Sequence, residues 1–422
     1  MDNNVNKKPY QKKMKSILLI LLLLPPYTFG VVSELAFGKT EDESLLKEDR
    51  LAFVSSLFTG EEQYQNFNRV YKLFPTTTLS PSSNPKFFQL GEPIDLPANF
   101  VFEGKMLSVD KYLARTDTAA LLIIQNGKIK YENYWLTGGR DVHWFSFSMA
   151  KSFISALIGI AIDQKYIKSI EDKITDYVPQ LKNSAYDNVR IKDILQMSSG
   201  ASWNEDYGDP NSDINRSARI FAMGGSLDEF TSSLQKELEP GSFNRYNSTD
   251  TQALGMLLRE ATGISISEYM QKMLWTPMGA EKNGYWIIDS ENMEMAYAGF
   301  MATARDYAKL GELYRLGGNV NNKQIIPSDW VVSSTKPDAP HLMPGDNPLS
   351  DFPIGYGYQW WIPDNSGDFS AIGVYNQFVY VSPENNTVIV KLSANSSYGT
   401  GADAGGKSEL EGISFFKAIL NH

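Results

Sequence analysis

A serine and a lysine three residues apart, Ser148 and Lys151, stand where the segment Trp144-Phe145-Ser146-Phe147 gives way to an apolar run over residues 153–162. Positions three apart share a helix face, so the Lys151 amine can reach the Ser148 hydroxyl. A helix N-terminus would place unpaired backbone N–H groups and a positive partial charge beside the attacking oxygen and any oxyanion that forms. A helix apolar nearly all round belongs in a core. A polar pair at its mouth therefore calls for a chemical reason, and a serine nucleophile with a lysine base supplies one. The tetrapeptide Ser-x-x-Lys occurs seven times, starting at Ser44, Ser83, Ser108, Ser148, Ser233, Ser333 and Ser414, but only the copy at Ser148 follows a strand-rich segment and opens a long apolar helix. The other copies suit helix caps and surface lysines.

Composition narrows the choice of base. The chain has three histidines, His143, His341 and His422, and no cysteine. A Ser-His-Asp triad would have to use His143 or His341, whereas a lysine or tyrosine base needs neither. Without cysteine there is no disulfide, thiolate metal site or cysteine nucleophile, and no cofactor or metal is expected. The net charge is −10; removing residues 1–30 takes away five Lys and one Asp and leaves 34 basic against 48 acidic residues, or −14. An acidic body argues against nucleic acid, and against anionic substrates or membranes, as the main partner.

The elements that must position the pair follow from periodicity. A helix is expected near residues 105–114. Two strands, over 119–125 and 128–134, flank Asn126-Gly127, a strong hairpin signal. From Ser148 to about residue 285 the pattern is helical, with short helices over 172–178, 191–197, 217–222, 249–261 and 266–274. Another helix runs over 303–316, closed by Gly317-Gly318. Strand character returns over 356–362, 369–374, 377–382 and 387–392, and a last helix covers about 407–420. The fold class is α/β (α+β): one antiparallel sheet assembled from both ends of the chain, flanked by terminal helices, with an all-α insertion lobe at about 150–285. Ser148 then lies at the seam between sheet and lobe, where clefts form.

Four motifs, in order and at sensible spacing over roughly residues 100–420, give the chain a family likeness. They are Ser148-Met149-Ala150-Lys151; Asp193-Ile194-Leu195-Gln196-Met197-Ser198-Ser199-Gly200 with Trp203; Pro240-Gly241 through Tyr246-Asn247-Ser248; and Gly355-Tyr356-Gly357-Tyr358-Gln359-Trp360-Trp361. Together they resemble the serine β-lactamase and penicillin-recognising superfamily, in its class C-like branch with 6-aminohexanoate-dimer hydrolases and related esterases. The resemblance implies that Ser148 attacks a carbonyl while Lys151 and Tyr246 share acid–base work. It also implies that Ser248 hydrogen-bonds the lysine, and that the backbone N–H groups of Ser148 and Val374, beside Gly373, form an oxyanion hole.

One departure bears on substrate. Relatives carry Lys-Thr-Gly as a third motif; here Ala371-Ile372-Gly373 stands in its place. A substrate carboxylate would lose a charge-assisted contact of about 1.5–3 kcal/mol, and no clear Glu of the class A deacylating type is evident. The aromatics Trp203, Tyr207, Trp361 and Tyr375 suit either the core or an uncharged, amphiphilic substrate.

The N-terminus adds a targeting expectation. Lys7, Lys8, Lys12, Lys13 and Lys15 precede the apolar residues 17–24 and Pro25-Pro26. That fits a signal peptide over residues 1–30, or an anchor if uncleaved, with Met14 as an alternative start. Residues 31–95 read as an extension without its own core, and residues 96–422 as the hydrolase domain. The expected protein is thus an exported serine hydrolase, periplasmic or secreted, acting on a small amide or ester through an acyl-enzyme. A weak β-lactamase or D,D-peptidase, and a catalytically silent peptidoglycan-binding or sensor module, are the alternatives.

Overall fold

The computed structural model describes residues 43–400 and 407–422; the expected signal segment lies outside them. An eight-stranded sheet carries the architecture. Its spatial order is Gly355–Tyr356, Trp361–Ile362, Phe369–Gly373, Gln377–Ser382, Thr387–Ser393, Thr118–Gln125, Lys128–Tyr134 and Gln89–Leu90. Every pairing is antiparallel except the last. The central pairing, Thr387–Ser393 with Thr118–Gln125, joins the two ends of the chain, as the sequence predicts. Asn126 and Gly127 turn the front hairpin with φ of 51° and 72°, which matches the twist that two-residue hairpins prefer.

Alternation along these strands feeds two apolar layers. Leu121, Ile123, Phe378, Tyr380 and Ile389 face one cluster, which the helices Val109–Arg115 and Lys407–Leu420 complete through Tyr112, Phe415 and Phe416. Leu122, Ile124, Val379, Val381, Val388 and Val390 face the larger core. A period of two with both faces covered explains why these strands read as continuous apolar runs. Gly311 lets the helix Ala304–Arg315 sit directly on the sheet, since a Cβ there would lie 2.7 Å from Val388 Cγ1 and 2.8 Å from Val379 Cγ1.

Two expectations need correction. The described part of the 31–95 extension is not coreless. A helix at Glu43–Ser56 packs against Asp213–Ala222, Thr76–Leu79 pairs with Gly284–Ile287, and Phe67, Val70, Phe74 and Leu79 are buried. The described residues all belong to one compact unit. Its apolar residues come in pieces too short to show periodicity, and their partners are distant in sequence. The helical stretch after residue 148 also closes onto an unforeseen four-stranded sheet, ordered Thr76–Leu79, Gly284–Ile287, Phe300–Ala302, Trp144–Phe145. Smaller differences are a strand at Lys105–Ser108 ahead of the helix Val109–Arg115, a single 3₁₀ turn at Ile174–Asp176, and a break between Gly355–Tyr356 and Trp361–Ile362.

Candidate active site

The small sheet sets the nucleophile's position. Trp144 and Phe145 pair with Ala302 and Met301, the Ser146 N–H donates to the Phe300 carbonyl at 2.9 Å, and the Tyr307 hydroxyl donates to the Trp144 carbonyl at 2.7 Å. Phe147 then turns with φ of 45°, a left-handed conformation that costs a bulky residue on the order of 1–3 kcal/mol. Its ring is held at 4.5–5.3 Å from those of Phe145, Phe67 and Tyr375. The chain passes through a 3₁₀ turn, Phe147–Met149, into the buried helix Ala150–Asp163, so Ser148 sits at the helix mouth as its spacing from Lys151 requires.

Lys151 is 1% exposed and donates to three acceptors: Ser148 Oγ at 2.9 Å, Ser248 Oγ at 3.2 Å and the Tyr297 carbonyl at 2.9 Å. Burial drives its pKa down to about 7, opposed by the negative charges of Glu205 and Asp250. An amine so placed can exist unprotonated near neutrality and accept the Ser148 proton. Tyr246 moves the other way. Burial, with the charge of Glu205 beside it, pushes its phenol well above 10, although a hydrogen bond with Ser148 partly offsets this. Its ring stacks on Trp361 at 5.0 Å between centroids, and Lys151 Nζ lies 5.0 Å from the Tyr246 ring centre.

The loop bearing Tyr246 is fixed by the other motifs. Asn247 caps the helix Ser248–Thr262 by accepting from the Thr249 N–H at 2.9 Å. Buried Asp250 accepts from Ser199 Oγ at 2.7 Å and from the Tyr186 hydroxyl and Asn247 Nδ2, each at 3.0 Å. Gln359 accepts from Thr251 Oγ1 at 2.6 Å, donates through Nε2 to the Leu195 carbonyl at 3.0 Å, and offers its own carbonyl to Ser152 Oγ at 2.7 Å. Residues that carried the family likeness thus tie the nucleophile helix, the tyrosine loop and the sheet together.

Gly373 ends the strand Phe369–Gly373 against the nucleophile turn. A Cβ there would lie 2.6 Å from the Ser146 carbonyl and 3.1 Å from Ser148 N, so only glycine lets strand and turn approach this closely. Ser148, Tyr246, Gly373 and Val374 all line a cleft of about 550 Å³. The six residues singled out in the sequence therefore meet at one place, Ser148, Tyr246, Gly373 and Val374 at the cleft wall and Lys151 and Ser248 buried behind Ser148. The third-motif expectation needs correction in detail: Ala371 is 1% exposed and lies in the core, and Ile372 faces the cleft instead. The cleft-facing residue of this motif, Ile372, is still uncharged. Of the four aromatics, Tyr207 and Trp361 line the cleft, while Trp203 and Tyr375 are buried behind it.

Sequence reasoning missed Glu205. It accepts from Ser248 Oγ at 2.7 Å, the Ser248 N–H at 3.1 Å, the Tyr207 hydroxyl at 2.7 Å and Trp203 Nε1. Its only trace is a carboxylate set between two aromatics just after the Ser-Ser-Gly motif. His143 and His341 do not line the cleft; His143 Nε2 meets the Asn283 carbonyl at 2.9 Å. Among the described residues no group of His, Cys, Asp and Glu is gathered as a metal site.

The β-lactamase family profile matches residues 108–410. The chain belongs to the β-lactamase family. The 6-aminohexanoate-dimer hydrolase of Paenarthrobacter ureafaciens is 30% identical over 299 residues, covering 69% of this chain and 76% of its own. A Bacillus anthracis structure assigned as a 6-aminohexanoate-dimer hydrolase superposes with a TM-score of 0.75 at 23% identity, over 87% of this chain and 97% of that one. EstCE1, a hydrolase with promiscuous acyltransferase activity, gives 0.57 at 16% identity, over 74% and 99%. This β-lactamase-family chain is a hydrolase.

Proposed function

We propose that the protein cleaves a small, uncharged carboxylic amide or ester through an acyl-enzyme on Ser148. The observation that carries this is the 2.9 Å contact between Ser148 Oγ and a lysine whose pKa burial has brought to about 7. Lys151 takes the Ser148 proton as Oγ bonds to the carbonyl carbon. The resulting oxyanion is met by the N–H groups of Ser148 and Val374, each such donor being worth about 100- to 1000-fold in rate. The intermediate collapses by breaking the bond to the leaving group, which takes a proton from Tyr246; Lys151 reprotonates the tyrosine. Water then attacks the ester by the same path in reverse. The division between the two groups follows from their opposite shifts: the amine is the accessible base and the phenol stays protonated.

Amide cleavage is favoured by the name of the 30%-identical relative. A β-lactamase or D,D-peptidase reading has less support, because Ile372 offers no cation to a substrate carboxylate. A silent binding module would not need Ser148, Lys151 and Tyr246 in one cleft. Ser148→Ala should lower hydrolysis of a neutral p-nitrophenyl ester at least about a thousandfold with an unchanged melting temperature. Retention of most of the rate would sink the assignment.

A further inference from the structure

Ser148 borders two cavities. One is the 550 Å³ cleft, which Tyr246 also lines; the other is a smaller pocket of about 80 Å³ that Tyr246 does not reach. Ser148, Tyr207 and Val374 are common to both. The small pocket is walled by the N-terminal segment through Val54, Leu57 and Phe58 and by Ile214, Phe221 and Met295 across from it, and no charged side chain is among the described residues that line it. Phe58 is locked in place. It has φ of 61°, its N–H donates to the Tyr375 hydroxyl at 2.9 Å, and its ring lies 4.5 Å from that of Tyr207.

We propose that this pocket is the acyl site, and that it selects a short, straight, uncharged acyl chain. The inference rests on the acyl-enzyme reading above. A carbonyl bonded to Ser148 sends its two substituents in different directions. The leaving group must meet its proton donor, Tyr246, and so occupies the large cleft. The acyl chain is left with the apolar pocket beside Val374. Its volume is about half the ~150 Å³ that holds benzene, which leaves room for about three or four carbons. A six-carbon chain overfills it, and a terminal ammonium or carboxylate drawn inside would meet no opposite charge among the described residues, a strongly unfavourable transfer. The pocket therefore disfavours the 6-aminohexanoyl group that the relative's name indicates. It also gives residues 53–58, which lie outside the family match, a part in substrate choice.

The test is kcat/KM for p-nitrophenyl acetate, butyrate, hexanoate, octanoate and 6-aminohexanoate. Each methylene buried should raise the value about fourfold. Butyrate should thus exceed acetate by roughly fifteenfold, hexanoate and octanoate should fall again, and 6-aminohexanoate should trail butyrate at least tenfold. Val54→Phe should lower butyrate turnover at least tenfold more than acetate turnover, whereas Leu57→Ala should move the optimum to longer chains. A profile indifferent to chain length, or variants that scale every ester equally, overturns the acyl site alone. Absence of turnover for every ester overturns the nucleophile assignment and the acyl site with it.

Discussion

Replacing Glu205 by glutamine should move the acid limb of the pH–rate profile to lower pH. Lys151 must be neutral to act as base, so kcat/KM rises with pH through the lysine's pKa of about 7. The Glu205 charge favours the ammonium and holds that value up; removing it lets burial drive the pKa lower. Contacts of 3.2 Å from Lys151 Nζ to Ser248 Oγ and 2.7 Å on to Glu205 Oε1 place the charges no more than about 6 Å apart. At that separation Coulomb's law gives about 0.7 kcal/mol in water and about 3 kcal/mol at an effective dielectric of ~20. That corresponds to a limb displaced by about half to two pH units. Glu205 is partly exposed, so solvent screening favours the lower half of this range. The assay is kcat/KM for p-nitrophenyl butyrate between pH 5 and 9, with melting curves to confirm folding. A limb that stays in place, or moves to higher pH, would refute Lys151 as the titrating base or Glu205 as its electrostatic partner.

Other outcomes follow from the same geometry. Tyr246→Phe should slow amide hydrolysis more than p-nitrophenyl ester hydrolysis, because nitrophenolate leaves without the proton an amine requires; equal losses on both would remove Tyr246 from the leaving-group step. Ile372→Lys should narrow the gap between a neutral ester and nitrocefin by about tenfold or more, and efficient nitrocefin turnover by the unmodified protein would restore the β-lactamase alternative. Gly311→Ala should cost up to about 2 kcal/mol net in urea unfolding, since overpacking against Val388 and Val379 at about 1–3 kcal/mol exceeds the ~1 kcal/mol that alanine contributes to a helix. We also propose export, so N-terminal sequencing should show loss of about 30 residues or a membrane-retained full-length form; an uncleaved soluble cytosolic protein would count against it.

The parts of this fold that were legible in sequence are those with local causes. The Asn126-Gly127 hairpin, the strands Gln377–Ser382 and Thr387–Ser393 and the last helix each carry their own turn chemistry or unbroken apolar run. The Ser148–Lys151 contact follows from helical spacing alone. What stayed hidden depends on distant partners. The strands Phe300–Ala302 and Trp144–Phe145 are too short to show alternation, and Phe67 packs on Trp144, Phe147 and Tyr375, all more than 70 residues away. The burial of Ala371 was also not legible: neighbouring positions on a strand face opposite sides, and here Ile372 meets the cleft and Ala371 the core. Glu205 was missed because its partner Ser248 lies 43 residues along, and nothing in a loop's composition shows which carboxylate turns inward. Sequence also left acid and base undivided between Lys151 and Tyr246, since their separation comes from burial and from the charge of Glu205.

In the proposed reaction Ser148 is the nucleophile and Lys151 activates it. Intact mass spectrometry after treatment with a fluorophosphonate, followed by peptide mapping, tests it most directly. One adduct per chain is expected, on Ser148, with labelling lost in Ser148→Ala and strongly slowed in Lys151→Met. An adduct on any other residue, or none on protein shown to be folded, would contradict it.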